Sequence, residues 1–252
     1  MRKVFAIFFA LSCGVVSAPL MAQTPVQQEV TQPDRSTPPI ERPAANTSIT
    51  SFATDVLNDQ KGIWTAPFHI NKGDFEWLAP VGVAGGTLFV FDHKISDAVR
   101  PDTSLRGPSS TISNVGLVAP WAVPGTMWLL GAVSHNDHTL EAGRLGVEAA
   151  VDSEVVMQVL KLATHRLRPD GSDNASFPSG HTMSAFALAS VMSHEYHDKK
   201  LVVFGSYGFA TAVGLARIGG LNHFPTDVLA GAVLGELIGR YVVNHHAQLA
   251  NQ

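Results

Sequence analysis

The sequence predicts an all-α fold, a helical bundle of about six core helices. Three observations predict it. The chain is 45% hydrophobic, and many of its apolar residues are Ala, Leu and Val, with Gly recurring among them. No series of short alternating strands with hairpin turns interrupts them. The breaks between apolar stretches are typical helix punctuation: Arg100-Pro101-Asp102, Arg168-Pro169-Asp170-Gly171 and Asp198-Lys199-Lys200.

The chain starts with Arg2-Lys3, then an apolar run over 4–11, then small residues up to Ala22. That order predicts a secretory signal peptide over 1–22. The run is shorter than the about 20 residues a membrane span needs. The single cysteine, Cys13, lies in this leader, and Ala10-Leu11-Ser12 before it fits a lipobox poorly. The rest of the chain therefore needs no disulfide and carries no thiol chemistry. Without Arg2 and Lys3 the formal charge moves from −4 to −6. A mildly acidic chain without basic runs argues against a nucleic-acid partner. Residues 23–50 hold five prolines among Gln, Thr, Ser and Glu. They are expected to form a flexible Pro-rich linker.

Residues 51–252 are expected to form one domain. Helices are predicted over roughly 51–61, 75–92, 113–134, 141–166, 179–197, 201–217 and 225–245. The 141–166 segment mixes Arg144, Glu148, Asp152 and Glu154 with an apolar set including Leu145, Val151, Val155 and Val159. It reads as an amphipathic helix exposed to water. The 113–134 segment has no charge and suits either a membrane helix or the centre of a soluble bundle. Three spans before Arg168 would put the following loop in the cytoplasm if the leader is removed. The expectation is therefore an exported periplasmic protein, soluble or peripheral, with an integral inner-membrane enzyme as the alternative.

Three clusters carry chemistry. In the first, Lys161 and Arg168 stand seven apart, on one face of a helix, and offer a point charge and a planar donor fork to an oxyanion. Two solvated charges at a helix end would look the same. In the second, Pro178-Ser179-Gly180-His181 precedes an apolar helical run. Ser179 is a natural cap, and the free amides of such a helix start bind phosphate. Gly180 permits close approach of the backbone. In the third, Arg217 ends one helix, and His223 and Asp227 stand four apart at the start of the next. Asp227 is then placed to accept the His223 N–H, leaving the other ring nitrogen free to attack phosphorus.

Lys-x6-Arg-Pro, Pro-Ser-Gly-His and Arg-x5-His-x3-Asp, in this order, resemble the tripartite signature of the type 2 phosphatidic acid phosphatase superfamily. That superfamily includes bacterial nonspecific acid phosphatases and vanadium haloperoxidases. The resemblance covers residues 161–227. One position departs: Ala216 stands where the third motif usually carries Ser. The resemblance implies a helical bundle and a metal-independent, two-step hydrolysis with no cofactor. His223 would form a phosphohistidine and Asp227 would orient it. His181 would protonate the leaving oxygen and then activate water. Lys161, Arg168, Ser179, Gly180 and Arg217 would hold the phosphate. The three cations should keep both imidazoles neutral.

The substrate is expected to be a phosphomonoester or diphosphate, either a lipid phosphate or a small soluble ester. The alternatives are a vanadate-dependent haloperoxidase and a non-catalytic binder of phosphorylated lipid. The pairs His135/His138 and His194/His197 lack the zinc-site pattern, and no metal site is expected. His245-His246 reads as a frayed terminus. His165 and Arg166 read as exposed or behind the site, and Trp77 and Trp128 as possible borders of an apolar pocket.

Overall fold

The computed structural model describes residues 49–69 and 71–249. The leader expected over 1–22 lies outside the described residues, as does the linker apart from its last two positions. Seven α-helices follow in order: α1 (Ile49–Thr65), α2 (Phe75–Val99), α3 (Arg106–Ser134), α4 (Asp137–Thr164), α5 (Gly180–Glu195), α6 (Lys200–Gly219) and α7 (Pro225–Leu249). Three short 3-10 turns lie between them, and no strand occurs among the described residues. The helices fall where the sequence predicts them, with shifted ends. α3 starts at Arg106 because Pro108 sits in its first turn, where a missing N–H breaks no helical bond. α3 and α4 are joined tightly. His135 ends α3 in the left-handed region at φ 52°, and the Asn136 side chain caps α4 by accepting from the Thr139 N–H at 2.9 Å.

α5 is the centre of the bundle and packs against α3, α4, α6 and α7. Its contact with α7 is the tightest for a stated reason. Gly231, Gly235 and Gly239 recur every fourth residue on α7, and a Cβ on any of them would fall within 2.6 Å of a backbone carbonyl oxygen near or in α5. Glycine lets the two backbones touch, as in small-residue helix pairs. The core between them is Met183, Leu188 and Val191 of α5, Leu145 and Met157 of α4, and Ile238 and Val242 of α7. This packing brings the first turns of α5 and α7 side by side.

The outer surface inverts the usual pattern. α3 buries small residues such as Ser113, Gly116, Pro120, Pro124 and Gly131, and exposes Val115, Leu117, Val118, Leu129, Leu130 and Val133. Exposed Val90, Phe89 and Val83 of α2 and Phe204 of α6 add to this apolar surface. α4 corrects the reading of 141–166 as a water-exposed amphipathic helix. Arg144, Glu148 and Asp152 are buried, whereas Val155, Val159 and Leu162 are exposed. The charged face points inward because α1 and α7 bring polar partners to it.

Candidate active site

The three sequence clusters sit at one end of the bundle. Lys161 lies in the last turn of α4, and Arg168 in the loop that follows. His181 lies in the first turn of α5, Arg217 in the last turn of α6, and Asp227 in the first turn of α7. His223 occupies the short loop between α6 and α7 and is buried. The loop folds back on the end of α6, with the N–H groups of Asn222 and His223 both donating to the Arg217 carbonyl. The charges of Arg217, Lys161 and Arg168 all bear on the His181 and His223 rings, which places the five groups around one region. Arg217 is buried and no carboxylate pairs with it among the described residues. Arg168 contacts Asp173 at 2.8 Å. Two of the three cations are thus left for an anion.

Two expected contacts take a different form. Asp227 Oδ2 lies 3.9 Å from His223 Nδ1, beyond hydrogen-bond range. The ring nitrogen instead meets the Ser176 carbonyl at 2.6 Å, a contact that fixes Nδ1 as the N–H and leaves Nε2 with the lone pair. Asp227 acts around the ring. Its Oδ2 accepts from Ser176 Oγ at 2.5 Å and from the Phe224 N–H at 2.8 Å. It therefore holds both the residue after His223 and the residue whose carbonyl holds the ring. Ser179 occupies the cap position of α5, but its hydroxyl pairs with Thr182 Oγ1 at 2.9 Å and makes no cap bond. Gly180 is buried against Met157, where a Cβ would sit 3.2 Å from that side chain.

Asp92 is the residue that motif reading missed, and Arg166, read from the sequence as exposed or behind the site, takes the second of those places. Arg166 donates from Nη1 to Asp227 Oδ1 at 2.5 Å and from Nη2 to Asp92 Oδ2 at 2.6 Å. Its guanidinium lies over the Phe224 ring at 4.4 Å. Asp92, fully buried on α2, accepts from the Thr226 N–H at 3.0 Å and from the Thr226 hydroxyl. The chain Asp92–Arg166–Asp227 ties α2 and the loop after α4 to the start of α7. Arg166 carries a faint signal, since it stands two residues before Arg168 and inside the first motif. Asp92 carries none, because nothing in its own segment marks it.

His223 titrates far from its ordinary range. Burial, then the Arg217 and Arg168 guanidiniums, hold its ring well below the usual histidine value, against the opposing bond to Ser176. A neutral buried imidazole with a fixed N–H on one nitrogen and a free lone pair on the other is a competent nucleophile.

Among the discounted histidines, His138 Nε2 meets the Glu195 carbonyl at 3.0 Å. His245 and His246 are not frayed: they contact Asp59 and Glu148. An apolar groove of about 820 Å³ opens between α2 and α7, lined by Val81, Gly85, Gly86, Phe89, Leu229, Val233 and Leu234, and reaches Arg166, Phe177 and Thr226. Trp77 and Trp128 do not line it; Trp128 stacks on Phe52 at 5.5 Å.

Comparison with known proteins adds four findings. Residues 144–249 match the family described as the PAP2 superfamily. A lipid A 1-phosphatase of Porphyromonas gingivalis is 41% identical over 80 residues, which cover 31% of this chain but only 18% of that relative. The undecaprenyl-diphosphatase BcrC of Bacillus subtilis is 31% identical over 139 residues, covering 51% of this chain and 68% of the relative. The crystal structure of a transmembrane PAP2-type phosphatidylglycerolphosphate phosphatase from Bacillus subtilis superposes with a TM-score of 0.53 at 22% identity, covering 79% of this chain and 96% of that one.

Proposed function

The chain belongs to the PAP2 superfamily, and from that membership we propose that it is a membrane-embedded phosphatase that removes phosphate from a lipid phosphate or diphosphate through His223. One observation carries the reading. His223, buried with Nδ1 on the Ser176 carbonyl, shares one region with His181 and the charges of Lys161, Arg168 and Arg217.

The reaction has two steps. His223 Nε2 attacks phosphorus as the bond to the leaving oxygen breaks, and His181 gives that oxygen its proton. Water then attacks the phosphohistidine, His181 takes the water proton, and the P–N bond breaks to free phosphate and neutral His223. Lys161, Arg168 and Arg217 stabilise the equatorial oxygens, aided by the free amides at the start of α5. An arriving phosphate dianion offsets the field of those cations, which favours the proton on His181. The charge work of this step is done by fixed side chains, so turnover is expected to persist in chelator.

The apolar exterior supports a lipid substrate over a soluble ester. Two stretches, Thr103–Ser134 and Lys200–Gly219, are long and apolar enough to cross a membrane, and only 22% and 33% of their apolar windows are buried inside the bundle. The groove between α2 and α7 suits a substrate chain entering from the side, and the relatives whose names include lipid A and undecaprenyl diphosphate agree in class. Export follows from the leader, with one condition. α2, α3 and α4 lead to the site in three passes, so a fully spanning bundle sets the site on the face opposite residue 75. The leader leaves residue 75 on the outer side whether it is cut or kept, so a periplasmic site needs one further crossing before residue 75.

The test is a panel of polyprenyl diphosphate, lipid phosphate and a soluble ester, run on the detergent-purified parent and on His223→Ala. The parent should release phosphate from a lipid substrate fastest. Substantial turnover by His223→Ala would remove the nucleophile, and recovery of the protein in a soluble fraction without detergent would remove the embedding.

A further inference from the structure

The end of the bundle remote from the phosphate pocket holds a second polar cluster, which the reaction above does not use. Here α1, α4 and α7 meet. Arg144 stands 17 positions before Lys161 on α4, which is about 25 Å along the axis at 1.5 Å per residue. Its guanidinium contacts Asp55 of α1 and lies 3.5 Å from Glu141 and 3.6 Å from Glu148. His246 of α7 meets Glu148 through Nε2 at 2.7 Å, and His245 contacts Asp59. Gln60 donates to Asp152 at 2.9 Å.

The charges do not balance. Asp55, Asp59, Glu141, Glu148 and Asp152 supply negative charge, and only Arg144 and the two imidazoles oppose it. With both rings protonated the charges balance only when two of the five carboxyls hold protons or a cation joins them. Asp59, Glu148 and Asp152 are fully buried, and each leaves one carboxylate oxygen without a hydrogen-bond partner. The Asp59 and Glu148 carboxyls also lie close enough for each charge to act on the other. Two buried carboxyls approach in that way around a shared proton or a cation.

The geometry selects a cation. One ligand atom each from Asp55, Glu148 and His246 lies within 4.8 Å of the others. Ligands at about 2.0–2.2 Å from one cation stand about 3.3–3.8 Å from each other, so the set draws inward by up to roughly 1 Å to close on it. Two carboxylates and an imidazole suit zinc or manganese better than magnesium or calcium, which favour all-oxygen sites.

We infer that this cluster binds one divalent transition-metal cation through Asp55, Glu148 and His246, with Asp59 beside Glu148 adding charge. His246 Nε2 then gives its lone pair to the metal, its Nδ1 takes the proton and gives up the 3.4 Å contact with Arg144 Nη1, and Arg144 stays on Glu141 and the second oxygen of Asp55. The ligands come from three helices, so the cation clamps α1 onto α4 and α7. The site is independent of the phosphatase reading.

The experiment uses the full chain in detergent, stripped with chelator and then given zinc or manganese. Bound metal is counted by mass spectrometry and stability is followed by thermal melting. One equivalent should bind, and Tm should rise by roughly 5–10 °C at about a hundredfold excess over Kd. Asp55→Asn, at a partly exposed position, and His246→Gln should each weaken binding by more than the roughly 10–100-fold that outer partners of a metal ligand command. Three results would overturn the site: no metal retained by the parent, affinity in both variants equal to that of the parent, or loss of the metal on His181→Asn. Because none of these readouts is turnover, an inactive enzyme would leave the inference standing or falling by itself.

Discussion

The two ends of α4 differ in charge and in what they leave unpaired. At its C-terminal end, Lys161 joins Arg168 and Arg217 around two imidazoles, and Arg217 has no carboxylate partner among the described residues. At its N-terminal half, Glu148 and Asp152 are buried where carboxyl groups outnumber the basic ones, and each keeps an oxygen unpaired. Between them the bundle shows apolar side chains to its surroundings. A bundle with an apolar exterior must gather its polar groups inside. The sign of each interior cluster then decides what it takes: an anion at one end, a cation at the other.

The comparison breaks most sharply at the nucleophile. His223→Ala should lower kcat by about four to six orders of magnitude, as loss of a covalent nucleophile does elsewhere, and should abolish any trapped phosphohistidine. The melting temperature of the distant cluster should not follow. His181→Asn should cost about 10²–10⁴ in kcat, the usual span for a general acid, with the loss smaller for substrates whose leaving group needs no proton.

Asp92 and Arg166 probe how the cationic end is held. Arg166→Ala leaves Asp92 and Asp227 as unpaired buried carboxylates and should destabilise the chain by about 3–5 kcal/mol. It should also lower kcat by about a hundredfold, the cost of a displacement near 1 Å, with KM changed little because Arg166 lies behind the phosphate oxygens. Arg166→Lys should recover part of kcat. An equal fall in affinity and rate would instead place Arg166 on the substrate.

The pH profile sharpens the contrast in sign. The folded His223 ring titrates well below 6.5, so it stays neutral as pH falls through that value. The limb of kcat/KM that reports its protonation should therefore lie well under pH 6.5. Arg217→Gln removes the largest charge effect on the ring and should move that limb upward, toward the ordinary value. Stability follows the same linkage. The unfolded ring gains a proton below about 6.5 and the folded one does not, so its contribution is present above 6.5 and is lost as pH falls toward the folded value.

The smallest effect belongs to the acidic end. Glu148→Gln should leave kcat unchanged. It should raise the Tm of the metal-free chain by about 2–4 °C for each kcal/mol of relieved repulsion.

Much of this was legible in the chain. The seven helices and the three motifs could be read because helix period, caps and motif spacing are local properties. Asp92 could not, since its partners Arg166 and Thr226 lie 74 and 134 positions away and its segment looks ordinary. The face of α4 was misread for a different reason. Charge at helical spacing marks a polar face, but which way that face turns depends on what surrounds the bundle.

The sequence by itself determined the helical class and picked out Lys161, Arg168, Arg217, His181 and His223 as candidate site residues, because each rests on residue type and short spacing. Tertiary structure alone decided that Ser176 holds His223, that Asp227 works through its neighbours, and that the charges of α4 face inward. Those outcomes depend on backbone groups and helix faces meeting across long separations, where packing geometry, and not the order of residues, sets which atoms come within reach.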